Sequence, residues 1–344
     1  MKKKVVTFGE IMLRLSTPGF SRFVQAQAFD VTYGGGEANV AVALANYGLD
    51  SYFVSKLPEH EIGQSAVNHL RRFGVQDDYI IRDGDRIGIY FLETGSSQRP
   101  SKVIYDRANS AVSGMKKEEI DWDAVFSGAD WFHWTGITPA LGEVARESVV
   151  AACQAAREDG TTVSCVLNFR KKLWTEEEAQ NFMQPLMEHV DVCIGNEEDA
   201  EKSLGLKPAH SDVDEGELDE ESYSKVAKEL KDIYGFQAVA ITLRESFSAS
   251  RNGWSAILLD DKECQEPYRS KRYDIQIVDR VGGGDSFASG LIYGLLSSDN
   301  TRDALEFAVA ASCLKQTIPG DFNLVNAEEV EKLAKGSGSG RVER

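Results

Sequence analysis

The chain has 344 residues, 42% hydrophobic and 27% charged, with 55 acidic side chains against 38 Lys and Arg and a formal net charge of −17. That length supports one large α/β domain or two ordinary ones, with a sizeable core either way. The acidic balance, with no strongly basic stretch, excludes a nucleic-acid-binding surface, because that affinity comes mainly from Lys and Arg on phosphates.

The start, Met1–Glu10, begins like a secretory leader, but Gly9 and Glu10 end the apolar run short of a leader's core. Lys4–Gly9 reads instead as a first strand. Met12–Ser16 then alternates apolar and polar residues, and so does much of Arg86–Arg107 around a turn at Gly95–Gln98. Such period-two patterns suit a half-exposed antiparallel sheet. Segments around 11–34 and 86–107 are therefore expected to form a small β lid inserted into a single α/β domain spanning 1–344. Between and after them, strand-like runs at Tyr52–Ser55, Trp131–Trp134, Thr162–Leu167, Val190–Gly195 and Ala238–Leu243 alternate with helical stretches. The helical stretches are Asn39–Tyr47, Gly142–Glu158, Ser222–Ile233 and Thr301–Leu314. This alternation predicts an α/β fold with a doubly wound, mainly parallel sheet flanked by helices.

Ser211–Glu221 is strongly acidic without apolar periodicity and reads as a solvated loop or frayed helix start. The tail Gly336–Arg344 reads as flexible, and no internal repeats are present. No run approaches the ~18 apolar residues of a membrane span. The five cysteines form no CxxC and no metal-ligand spacing, which suits a reducing, cytoplasmic setting.

The most informative segment is Asp279-Arg-Val-Gly-Gly-Gly-Asp285-Ser-Phe-Ala-Ser-Gly290, followed by an apolar helix at Leu291–Leu296. Three glycines leading into a helix expose backbone N–H groups, and the macrodipole favours an anion there. Asp285, in the first turn, can accept a proton from a substrate hydroxyl while those N–H groups hold a phosphoryl group. Taken alone, a GGGD run is equally a tight turn with a first-turn helix acid. The longer pattern D-x-x-G-G-G-D-x-F-x-x-G resembles the signature of the ribokinase-like (PfkB) carbohydrate kinases, D-T-x-G-A-G-D-x-F. The resemblance implies Asp285 as catalytic base, Gly282, Gly283 and Gly284 as the anion hole, and ATP with Mg2+ as phosphoryl donor. Asp279 stands where several members help bind a monovalent cation such as K+. The signature's Thr is Arg280 here and its Ala is Gly283.

Gly34-Gly35-Gly36-Glu37-Ala38-Asn39-Val40-Ala41 resembles the same family's G-G-x-x-x-N-x-A motif. Its glycines let backbone approach a small hydroxylated ligand, and Asn39 can both donate and accept. It fails as a dinucleotide GxGxxG, since Asn39 stands at the third glycine, and no GxxxxGK[ST] occurs anywhere. Asn196-Glu197-Glu198-Asp199, after the strand ending at Gly195, resembles the family's N-x-x-E, with Asp199 one methylene shorter than Glu. There the resemblance implies Mg2+ held through water, and Glu197 or Glu198 could compensate for the shorter side chain; an acidic helix start is the plainer alternative.

Neutral sugars are usually gripped by Asp, Asn and Gln, whereas arginines suit a carboxylate. Tyr90, Tyr105 and Arg107 lie in or beside the lid strands, and Arg170 follows a core strand. Beyond its motifs the chain resembles the 2-keto-3-deoxygluconate kinases of that family at Phe8–Arg14, Val103–Arg107, His133–Pro139, Leu167–Trp174 and Pro319–Asn323. That implies keto-acid contacts from the places of Gly34, Gly35, Asn39, Tyr90, Tyr105, Arg107 and Arg170. It also implies a nucleotide site around Asn196, Thr242, Arg244 and the region Gly320–Asn323, with Asn323 a contact, and a homo-oligomer formed through the lid. One departure stands out: the family's D-x-N-x-R is Val166-Leu-Asn168-Phe-Arg170 here. Losing one charge-assisted contact costs ~1.5–3 kcal/mol, so a reduced rate or shifted specificity is expected. The alternatives are a kinase of the same fold acting on fructose, ribose or 2-keto-3-deoxygalactonate, and a sugar-acid sensor without catalysis.

Overall fold

The structure, a computed structural model, describes residues 2–206, 220–261, 266–298 and 300–336. The acidic stretch 211–219, Cys264 and the tail 337–344 lie outside the described residues, while Glu220 and Glu221 open a helix.

The central sheet is built on β1 (Lys4–Phe8), which pairs in parallel with β4 (Asp50–Leu57) on one side and β8 (Trp131–Thr135) on the other. Parallel pairing continues from β8 through β9 (Thr162–Val166) and β10 (Val192–Gly195) to β11 (Ala238–Ser248). On the far side β4 pairs in parallel with β5 (Ile80–Arg82). An antiparallel edge follows β11, formed by β12 (Arg251–Asp260), β13 (Tyr268–Arg269) and β14 (Tyr273–Gln276).

Successive side chains of a strand point to opposite faces, and here both faces are covered. On β1, Val6 and Phe8 join one core cluster and Val5 the other. On β11, Val239, Ile241 and Leu243 face the first, and Ala238 and Ala240 the second. That is why these strands read as continuous apolar runs. The first cluster packs under α4 (Glu143–Asp159), α5 (Glu176–Leu186) and α7 (Glu220–Tyr234). The second packs under α1 (Gly36–Asn46), α8 (Gly283–Ser297) and α9 (Thr301–Lys315). Helices α8 and α9 lie unusually close, because a Cβ on Gly290 would stand 2.8 Å from Ala308 Cα and one on Gly294 2.6 Å from Ala304 Cα. The final glycine of the signature therefore serves helix packing.

A separate four-stranded sheet has the order β3 (Asp30–Gly34), β2 (Met12–Ser16), β6 (Gly88–Glu93), β7 (Lys102–Asp106). The expectation of an antiparallel sheet needs correction, since β2 and β6 pair in parallel, Met12 opposite Gly88 through Ser16 opposite Leu92. Alternation specifies which side chains share a face but not the direction of the neighbouring strand. Among the described residues no helix is long and apolar enough to cross a membrane.

Candidate active site

Between the two sheets lies a cavity of about 500 Å³. One wall is the glycine loop. Gly282 caps α8 with φ 82°, a left-handed conformation that favours glycine, and a Cβ there would fall 2.1 Å from the Asp321 carbonyl oxygen. A Cβ on Gly284 would meet nothing within 4 Å, so the glycine leaves open space above the first turn. The first N–H groups of a helix have no intrahelical acceptor; in α8 the Gly283 N–H donates to the Arg280 carbonyl at 3.3 Å, while Gly284 and Asp285 follow it along the cavity wall.

The N-terminus of α1 meets that of α8. Gly35 is required here by the close passage of Glu10, whose carbonyl oxygen lies 1.9 Å from where its Cβ would stand. The Asn39 side chain donates to Asp285 Oδ2 at 2.6 Å and accepts from the Gly35 N–H at 3.2 Å. Burial raises the Asp285 pKa to about 6, opposed by the Asn39 hydrogen bond and by Arg170 and Lys315, and reinforced by Asp321. A carboxylate with that value is ionised at neutral pH yet basic enough to take a proton. Beside it, Glu37 Oε1 accepts from Thr135 N at 3.1 Å, Thr135 Oγ1 at 2.8 Å and Thr138 Oγ1 at 2.6 Å. Burial raises the Glu37 pKa to about 7 despite those donors, with a further push from Asp285.

At another part of the wall Arg107 and Glu10 form a buried ion pair. Arg107 also lies over the Tyr105 ring at 5.4 Å, and the Tyr90 and Tyr105 rings are 6.0 Å apart. The pair is incompletely satisfied, since Arg107 Nε and Glu10 Oε1 are buried without a hydrogen-bond partner. Such orphans are costly unless a ligand meets them. Tyr90 donates its hydroxyl to Asp321 Oδ2, and Arg14 binds both Asp321 and, at 2.5 Å, Asp279. Burial opposes the Arg14 charge, but the two carboxylates outweigh it and its pKa is raised.

Arg170 lies in the loop after β9, where Asn168 has a φ of 43°. Its Nη1 donates to the Phe169 carbonyl at 3.2 Å, and its charge lowers the pKa of both Asp285 and Asp199. Asp199 Oδ1 accepts from Phe169 N at 2.9 Å, and burial raises its pKa to about 6 against the pull of Arg170. Asn196 caps α6 (Glu197–Leu204), accepting from Asp199 N at 2.8 Å. Thr242, Arg244 and Arg280 complete this end. Arg280 donates to the carbonyls of Ser248 and Ala249 at 3.3 and 3.0 Å, and its Nε is buried without a partner. Burial and the neighbouring Arg244 lower its pKa.

The cavity thus brings together Gly282, Gly283, Gly284, Asp285, Gly35 and Asn39 with Tyr90, Tyr105, Arg107 and Arg170, and with Asn196, Asp199, Thr242 and Arg244. Three expected site residues are not among its lining. Gly34 is packed against Asp321, whose Oδ2 lies 2.0 Å from where its Cβ would stand. The Asn323 amide is consumed elsewhere, donating to Tyr47, Ser286 and Ala311 and accepting from Val325 N. Asp279 is closed off by its own donors, Arg14, Val281 N and Gly320 N. Asn39 lines the cavity, but its side chain is engaged in orienting Asp285. Glu10 and Arg280 were not expected as site residues; both sit in motifs quoted above, and only Arg280, as a charge inside the signature, carried a visible signal. Asp321 falls in the stretch expected at the nucleotide, and it binds Arg14 and Tyr90.

A mainly parallel sheet between helices, with a separate small sheet over its edge, is the ribokinase-like fold of carbohydrate kinases. The model of the pfkB family carbohydrate kinases matches residues 2–325, and the chain belongs to that family. A 2-dehydro-3-deoxygluconokinase from Thermotoga maritima has a solved structure similar to this one, with a TM-score of 0.93 and 56% identity, covering 98% of this chain and 99% of that one. A 2-dehydro-3-deoxygalactonokinase from Haloferax volcanii is 34% identical over 341 residues, 99% of either chain. A 2-dehydro-3-deoxygluconokinase from Bacillus subtilis is 30% identical over 339 residues, 97% of this chain and 95% of its own.

Proposed function

We propose that this carbohydrate kinase transfers the γ-phosphoryl group of ATP to the terminal hydroxyl of 2-dehydro-3-deoxy-D-gluconate. The observation that carries the reading is the shared cavity, with Asp285 beside the glycine amides and the guanidinium groups of Arg107 and Arg170 on the same lining. The likeness to the Thermotoga maritima gluconokinase at 56% identity supports the same substrate. Asp285 accepts the hydroxyl proton, the oxygen forms its bond to phosphorus, and the bridge to ADP breaks. The amides of the Gly282–Gly284 loop hold the charge that develops on the phosphoryl oxygens. Arg244 and Arg280, two cations at one end of the cavity, suit the remaining phosphates of the nucleotide.

Among the described residues no group of three or more metal-ligating side chains is present. That fits an ion that keeps its water shell and leans on one or two carboxylates plus phosphates. Asp199 and Glu198, both lining the cavity, would hold Mg2+ through water, and the ion supplies charge neutralisation on the phosphates. The sugar-acid carboxylate is read as lying at Arg107 and Arg170, which line the same cavity as Asp285. The small sheet serves as a lid that excludes water from the transfer. Its outer side carries Val31 at 60% and Ile104 at 55% exposure on the two edge strands, which suits a homo-oligomer formed through the lid.

The likeness to the Haloferax volcanii galactonokinase favours a second reading, the galactonate epimer, which differs at one hydroxyl. An ATP-consumption assay over both keto-deoxy acids, fructose and ribose decides. The gluconate acid is expected to give the largest kcat/KM, a larger value for the galactonate acid selects the second reading, and preference for a neutral sugar overturns both.

A further inference from the structure

Lys315, the last residue of α9, is fully buried beneath the glycine loop. Its stem packs under Gly282, with Cε 3.3 Å from where a Cβ on that glycine would stand, and its Nζ donates to the Asp279 carbonyl at 3.1 Å. A buried ammonium with three donors and one hydrogen-bonded acceptor is costly, so its charge must be balanced nearby. Burial lowers the Lys315 pKa; Asp279, Asp321 and Asp285 favour its charge against that, and Arg14 is the opposing cation. Three carboxylates against two cations leave this cluster one negative charge in excess, directly behind a loop whose amides are read as binding phosphate. Without Lys315 the excess would double.

Every oxygen atom of Asp279 already accepts a hydrogen bond from the protein. Oδ2 already accepts from Arg14 at 2.5 Å and from Gly320 N at 3.1 Å, Oδ1 from Val281 N at 3.1 Å, and the carbonyl from Lys315. We infer that Lys315 is the fixed cation of the glycine loop, a tethered ammonium standing where a bound alkali ion would otherwise act, so that the enzyme works without one. Lys315 touches no substrate; it is a positioning residue that keeps the loop and Asp279 in place and offsets negative charge behind the transferred phosphoryl group. This rests on the phosphate-binding role proposed for Gly282–Gly284.

The test has three arms. Initial rates of the natural protein are measured with ATP, Mg2+ and the keto-deoxy acid in potassium, sodium or choline chloride. Crystals are soaked in rubidium chloride and searched for anomalous scattering beside the Asp279 carbonyl. Both measurements are repeated on Lys315→Met. Expected are equal rates in the three salts and no rubidium in the natural protein. The variant is expected to lose on the order of 10- to 100-fold in kcat with little change in sugar KM, as for one unit charge at an effective dielectric near 20. Ammonium or potassium should restore part of that loss, and rubidium should appear at the Asp279 carbonyl. A purely structural lysine would give no salt rescue. Potassium activation or bound rubidium in the natural protein overturns the inference, as does a folded variant with undiminished kcat. Should Lys315→Met fail to fold, the two arms on the natural protein decide alone. Should no sugar acid be phosphorylated in any salt, the substrate reading fails, and the rubidium soak still judges Lys315.

Discussion

At the glycine-loop end of the cavity the working groups come from two short contiguous stretches, Gly34–Ala41 and Asp279–Gly290, that open α1 and α8. The charged pairs instead meet across the chain: Arg107 with Glu10, 97 residues apart, on the cavity wall, and Arg14 with Asp321, 307 residues apart, behind the glycine loop. The first end is a local backbone device, in which glycines are dictated by close approach and one hydrogen bond sets the base. The second is an electrostatic assembly held by tertiary structure, with Arg107 Nε and Glu10 Oε1 left buried without a partner. On the proposed function, chemistry would be encoded locally and substrate choice globally, an arrangement by which one fold can serve many sugars.

The comparison breaks most sharply at Asp285. Asp285→Asn is expected to lower kcat by about 10²- to 10⁴-fold while leaving the sugar-acid dissociation constant nearly unchanged, by turnover assay and calorimetry. Arg14→Leu attacks the global assembly instead, leaving buried Asp279 and Asp321 without their directly bonded cation and only Lys315 nearby. Its expected cost is about 3–5 kcal/mol of stability, read from denaturant unfolding. A change within error would mean that the network contributes nothing.

Val166 sharpens the comparison, because it lines the cavity where the family's motif has a carboxylate. Val166→Asp is expected to raise kcat/KM for the sugar acid by about tenfold or more, the value of one charge-assisted contact. The smallest effect concerns Asn39. Its amide lowers the Asp285 pKa, which otherwise rises through burial to about 6. The natural enzyme should lose activity as pH falls through about 6, where Asp285 takes up a proton. Asn39→Ala removes the hydrogen bond that favours the ionised carboxylate, so this acid limb should move to higher pH, with roughly a tenfold loss of kcat at neutral pH. A limb that stays in place would separate Asn39 from the base.

The parallel core was legible because strands covered on both faces read as unbroken apolar runs, as in Ala238–Leu243. The antiparallel edge β12–β14 was not, since a continuous apolar run such as Ala256–Leu259 carries no period that separates strand from buried helix. Likewise the glycine loop and Asp285 were visible as a spacing, whereas the partner of Asn39 was not. Its role changes from ligand contact to base orientation only when α1 and α8 are brought together. Arg107 was expected from sequence to face a substrate carboxylate, and it also pairs with Glu10. Glu10 alone, after a strand, gave no sign of that pairing.

The account stands or falls on the orientation of the sugar acid in the cavity. A crystal structure with 2-dehydro-3-deoxy-D-gluconate and a non-hydrolysable ATP analogue tests it directly. The terminal hydroxyl is expected within about 2.6–3.2 Å of an Asp285 carboxylate oxygen, with the acid group at Arg107 and Arg170. A sugar acid bound the other way round, or outside this cavity, would contradict it.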